Sequence, residues 1–140
     1  MQADANYESV GPQVFRMEYY YVIQSGTNSS ILSATPWDTR TPPAHTSVNG
    51  LQDVAAISVD IAVIDPKSRV LVNHNNQLTN LAGLMKDFGQ VDSNVSGNPL
   101  SPGYLGAGWQ AEIINPSNGI PHPVASNIRV YERTFYLPRN

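Results

Sequence analysis

Apolar side chains along the chain fall first into alternating runs and then into a helical one. Val14–Gln24 (VFRMEYYYVIQ) sets Phe15, Met17, Tyr19, Tyr21 and Ile23 on one side and Arg16, Glu18 and Gln24 on the other. A period of two in aromatic and β-branched residues predicts a strand with one buried face. Ser25-Gly26-Thr27-Asn28 has turn chemistry, so Ile31–Ala34 is expected to return beside this strand as a hairpin. Asp53–Asp65 alternates just as strongly. Ile57, Val59, Ile61 and Val63 line one face, and Ser58, Asp60 and Ala62 line the other. Asp65-Pro66 reads as a turn, with Arg69–Val72 expected as a short continuing strand.

The period then changes. Leu78, Leu81, Met85 and Phe88 recur at spacings of three and four, which predicts an amphipathic helix over Asn76–Phe88. Asn75 or Asn76 suits its N-cap and Gly89 its C′ position, while Gly83 inside it costs about 1 kcal/mol of propensity. Gln90–Gly103 reads as a polar loop. A shorter helix over Tyr104–Asn115 follows, bracketed by Ser101-Pro102 and Asn115-Pro116. Ser126–Leu137 reads as a last strand. Thr35–Gly50, with three prolines, reads as a long ordered loop with Trp37 pinned against the body. Strands grouped apart from helices predict an α+β fold, an antiparallel sheet with one or two short helices. One domain is expected over 1–140, with 1–13 flexible.

The balance between these elements bears on function. Both strong strands carry a wide apolar face, and the helices available to cover them are modest. Either the sheet folds on itself or an element outside this chain covers part of it, and an uncovered apolar face marks an interaction site. Ile57, Val59, Ile61 and Val63 are therefore the candidate assembly face.

Composition narrows the classes further. Only 14% of the 140 residues are charged, and the surface is made up with neutral polar residues, which suits a protein outside the cytoplasm. A net charge of −3, with eight basic residues spread along the chain, leaves no basic stripe for nucleic acid. The longest apolar stretch, Val54–Ile64, is broken by Ser58 and Asp60 and is too short to span a bilayer. Met1–Gly11 has neither a cationic start nor an apolar run, unlike a signal peptide. Without cysteine there is no disulfide, no thiolate metal ligand and no thiol catalysis.

Candidate chemistry is sparse. His45, His74 and His122 each fall in a predicted loop, with no carboxylate at a metal-ligand spacing. No Gly-x-Ser-x-Gly elbow is present. Asp60, Asp65, Asp87 and Glu112 could supply a carboxylate pair of the glycosidase kind, but nothing in their spacing favours one, and Asp60 reads as a residue of a solvated strand face. Gly103–Gly108 (GYLGAG) has the glycine count of a dinucleotide fingerprint in the wrong order, with no strand before it. Asp92, Asn94 and Ser96, followed by Gly97, match the opening half of a calcium loop. Gly103 stands where the closing acid belongs, so only an irregular calcium site or an Asx-rich turn remains. No other cofactor is expected, and no enzyme signature emerges.

Two segments carry a family resemblance. Val14-Phe-Arg-Met-Glu-Tyr-Tyr-Tyr with Pro36-Trp37-Asp38, followed by Gly50–Asp65, is one; Ile128-Arg-Val-Tyr-Glu-Arg-Thr-Phe-Tyr-Leu137 is the other. Together they resemble the C-terminal globular region of bacterial prepilin-type proteins, closest to minor pilins of type IV pili and the J-type pseudopilin of type II secretion. The family's diagnostic segment is not in this part: a basic leader, a cleavage site before Phe, a Glu five residues into the mature chain and a long apolar helix. The resemblance implies an antiparallel sheet that packs against that helix. It also implies a non-enzymatic subunit whose partners are other pilin or pseudopilin subunits. Such a subunit reaches the membrane only through the missing N-terminal helix and resides in the periplasm or an extracellular filament, anchored in the inner membrane before assembly. Two other readings stand beside it. One is an adhesin-like β-rich module binding through loops 35–50 and 90–103, and the other is a small hydrolase with an unrecognised site.

Overall fold

A computed structural model describes residues 11–25, 29–36 and 53–138. Four strands, β1 (Val14–Ser25), β2 (Ser29–Ser33), β3 (Val54–Ile64) and β4 (Ile128–Tyr136), form one antiparallel sheet in the order β2-β1-β3-β4. Between β3 and β4 the chain inserts four helices: α1 (Pro66–Asn73), α2 (Gln77–Leu84), α3 (Tyr104–Ile114) and α4 (His122–Ala125), with a 3-10 turn at Pro116–Asn118. The α+β class and the antiparallel sheet are as the patterning predicts. Among the described residues the helices are four, where one or two are expected.

The largest local departure is Arg69–Val72, which is helical and not a strand. Asp65-Pro66 does not turn the chain; it starts α1. The Asp65 carboxylate accepts from the N–H groups of Lys67 at 3.0 Å and Ser68 at 3.1 Å, and Pro66 occupies the first turn, where its missing N–H costs nothing. The expected helix over Asn76–Phe88 is shorter than its periodicity, ending at Leu84. Beyond it Met85, in extended backbone, and Phe88, in a turn, still enter the core, so a helical spacing of apolar residues outlasts the helix. Asn76 is its N-cap, held at φ 54° without a side-chain cap bond. Trp37 and most of the Thr35–Gly50 loop lie outside the described residues. So do residues 1–10 of the expected flexible segment, whereas Gln13 extends the ladder by accepting from the Ile64 N–H at 3.0 Å.

All four helices lie on one side of the sheet, and the core forms between the two layers. Trp109 is its centre. It is fully buried, and its indole N–H donates to the Lys86 carbonyl at 2.9 Å. Tyr20 stacks on Phe88 with centroids 4.4 Å apart. Val72, Leu81, Leu105, Ile113, Val124 and Ile128 close the cluster around them.

The covered face is the one that alternation alone does not favour. Val54, Ala56, Ser58, Asp60, Ala62 and Ile64 are all buried, whereas Ile57, Val59, Ile61 and Val63 are half-buried on the opposite side. In β1 the side holding Arg16, Glu18, Tyr20 and Val22 likewise faces the helices, pairing with Ala62, Asp60, Ser58 and Ala56. Two causes are visible. Ala56, Ser58 and Ala62 are small, so helices approach that face closely and still fill the space. A bulge between Val14 and Arg16 also turns Phe15 into the core, away from Met17 and Tyr19 with which strict alternation groups it.

Candidate functional site

With the helices on one side, the other side of the sheet is a continuous apolar surface. Register places Met17, Tyr19 and Tyr21 of β1 opposite Ile61, Val59 and Ile57 of β3, and these opposite Tyr131, Arg133 and Phe135 of β4. All four predicted assembly-face residues are brought together here, Val63 beside Arg129. Tyr19 remains 53% exposed, Tyr131 55% and Met17 and Phe135 49% each. The aromatics are ordered by one another: Tyr19 and Tyr21 meet edge to face at 5.9 Å, and the Arg133 guanidinium lies 5.3 Å from the Phe135 ring. Large apolar side chains left this open on three adjacent strands form one contiguous exposed patch rather than scattered surface residues.

The opposite face holds a feature that sequence reading missed. Glu18, Asp60 and Glu132 are direct cross-strand neighbours, a row of three carboxylates running beneath the helices. Asp60, expected on a solvated face, is completely buried, and neither carboxylate oxygen has a hydrogen-bond partner among the described residues. Burial, reinforced by Glu132 and Glu18, pushes its carboxyl from 3.8 up to about 7. Burial also raises Glu18, against the N–H of Phe88 that donates to it at 2.7 Å. Arg16 relieves that end of the row: it bonds Glu18 and Asp87 and lies 5.6 Å over the Trp109 ring. Tyr20 donates to Glu132 at 3.3 Å at the other end, and the same burial pushes its own hydroxyl well above the ordinary tyrosine value.

The glycines of GYLGAG belong to this packing and not to a phosphate loop. A Cβ at Gly106 would lie 3.3 Å from Asp60 Oδ1, and one at Gly108 would lie 2.9 Å from Asp92 Oδ2, so α3 rests its backbone directly on two carboxylates. Only the cross-strand register reveals the acid row, because Glu18, Asp60 and Glu132 are far apart in the chain.

The remaining candidates are placed separately. Asp92 and Asn94 form an Asx turn, with Asp92 Oδ1 accepting from the Asn94 N–H at 2.8 Å, and the Asn94 amide donates to Glu112 at 2.8 Å. Tyr104 ties this turn to α3, while Ser96 is exposed. No group of three or more His, Asp or Glu among the described residues is arranged to hold a metal ion. Asp65 caps α1, Asp87 pairs with Arg16 and Glu112 accepts from Asn94, so the four acids considered for a glycosidase pair have four separate settings. His74 and His122 are exposed on different helix ends, and His45 lies outside the described residues. No helix among the described residues is long and apolar enough to cross a membrane. The chain matches no family model, no curated protein and no solved structure.

Proposed function

We propose that this chain is the globular domain of a structural subunit of a bacterial envelope filament, a minor pilin or pseudopilin, working in the periplasm or in the extracellular filament. One observation carries the reading. Among the described residues the sheet is covered by helices on one face only, and the face they leave open is the more aromatic and aliphatic of the two. A long apolar helix of the same subunit, packed along Met17, Tyr19, Ile61 and Tyr131, would bury that face and leave the helical layer and its loops turned outward. The role is one of assembly, with other pilin or pseudopilin subunits as partners.

The direct test is the intact mass and N-terminal sequence of the native protein taken from the envelope of its source cell. The expected result is a methylated Phe followed by about twenty apolar residues ahead of Gln2. A native chain that begins at Met1 would overturn the proposal.

A further inference from the structure

Strand β4 is an outer strand of the sheet, and nothing among the described residues pairs with its far edge. The ladder fixes which main-chain groups lie there. The Ile64 N–H donates to the Gln13 carbonyl and the Leu137 N–H to the Ala55 carbonyl, so even-numbered residues of β3 turn toward β1 and odd-numbered ones toward β4. Through the register, Arg129, Tyr131, Arg133 and Phe135 are the β4 residues bonded to β3. The N–H and C=O groups of Val130, Glu132, Thr134 and Tyr136 therefore point outward. The carbonyl of Ile128 is covered by the Arg129 guanidinium at 3.1 Å, which leaves Val130–Tyr136 as the open edge.

At the Val130 end of this edge, between β4 and α3, runs an open groove of about 650 Å³ lined by Ala107, Gln110, Ala111, Ile114, Ile128 and Val130. Ala107 and Ala111 lie one helical turn apart, and their short side chains leave room above the position an added strand would take. An added strand would send alternate side chains into the groove and the others onto the open sheet face. On that second face the charge that β4 presents is that of Arg133, because the Arg129 guanidinium turns back onto the Ser126 and Ile128 carbonyls and lines the groove.

The charges along β4 also oppose its pairing with a second copy of itself. The three fullest antiparallel self-registers set Glu132 opposite Glu132, Arg129 opposite Arg133, or Arg133 opposite Arg133. Like charges directly opposite one another destabilise a ladder. Independently of the filament reading, we infer that the β4 edge accepts an antiparallel extended segment of a partner protein. That segment is apolar at the positions facing the groove and acidic at the position facing Arg133.

The probe is a blocked, fluorescently labelled synthetic peptide of alternating Glu and Val between terminal glycines, titrated by anisotropy at low salt. In an antiparallel pair the groove-facing valines are the residues whose N–H groups meet β4, and the glutamate N–H groups face away. The expected results are binding at least about tenfold tighter than that of the same peptide with Lys for Glu, loss of binding when the valines are N-methylated, and retention when the glutamates are. The backbone amide resonances of Val130, Glu132 and Thr134 should shift, and Arg133→Glu should reverse the charge preference. Equal binding of acidic and basic peptides, or tolerance of N-methylated valines, would overturn the inference. So would no binding at about 1 mM peptide. Self-association of the protein that Thr134→Pro abolishes would assign the edge to a second copy instead, and would overturn it equally.

Discussion

Replacing Asp60 by Asn removes the fully buried ionisable group at the centre of the acid row and leaves its shape nearly unchanged. The carboxyl titrates near 3.8 in the unfolded chain and near 7 in the fold, because burial first, and Glu132 and Glu18 second, disfavour its charged form. Between those two values the folded protein holds a proton that the unfolded chain has lost, so stability falls as pH rises from about 4 to about 7 and then levels. At 1.36 kcal/mol per tenfold, the full displacement corresponds to at most about 4 kcal/mol. Glu132 is exposed and its field is screened by water, which brings the expected loss to about 2–3 kcal/mol. Asp60→Asn should therefore flatten this part of the pH profile. It should match the wild type near pH 4 and exceed it near pH 8 by about 5–10 °C in melting temperature. Urea unfolding followed by the fluorescence of buried Trp109, repeated across that range, measures the difference directly. Parallel profiles for the two proteins, or wild-type stability that rises between pH 5 and 7 relative to Asp60→Asn, would refute the reasoning. Either result would mean that the carboxylate is ionised in the fold and compensated there.

Four further outcomes follow from the packing. Gly108→Ala should destabilise by about 1–3 kcal/mol, because its Cβ would lie 2.9 Å from the buried Asp92 side chain. Gly83→Ala, with nothing within 4 Å, should stabilise α2 by about 0.5–1 kcal/mol; chemical denaturation of the pair checks both signs. Trp109→Phe should cost about 1–3 kcal/mol, since it leaves the Lys86 carbonyl without its donor and part of the core empty, measured by thermal unfolding followed by circular dichroism. Ile61→Asp, on the half-buried open face, should cost the isolated domain no more than about 1 kcal/mol yet, on the proposed function, abolish assembly of the full-length subunit into filaments. Loss of the fold itself in that variant would show that the face belongs to the core.

Much of the local structure is written in the sequence. β1 and β3 begin and end within a residue of where their alternation does, and α3 and β4 lie where their boundary residues put them. The set Ile57, Val59, Ile61 and Val63 is determined as a single face by a period of two, whatever the chain does elsewhere. Local pattern misjudged α1, because Asp-Pro is both a turn signal and an N-cap followed by a first-turn proline, and only the chain beyond it decides between them. Alternation separates two faces without saying which of them the helices cover. That choice came from tertiary structure: from the small Ala56, Ser58 and Ala62, the bulge that turns Phe15 inward, and the glycines that let α3 settle on Asp60 and Asp92. The same choice buried Asp60 between Glu18 and Glu132 and left the aromatic face open. Strand register and layer packing bring together residues more than a hundred positions apart, and no local pattern carries that information.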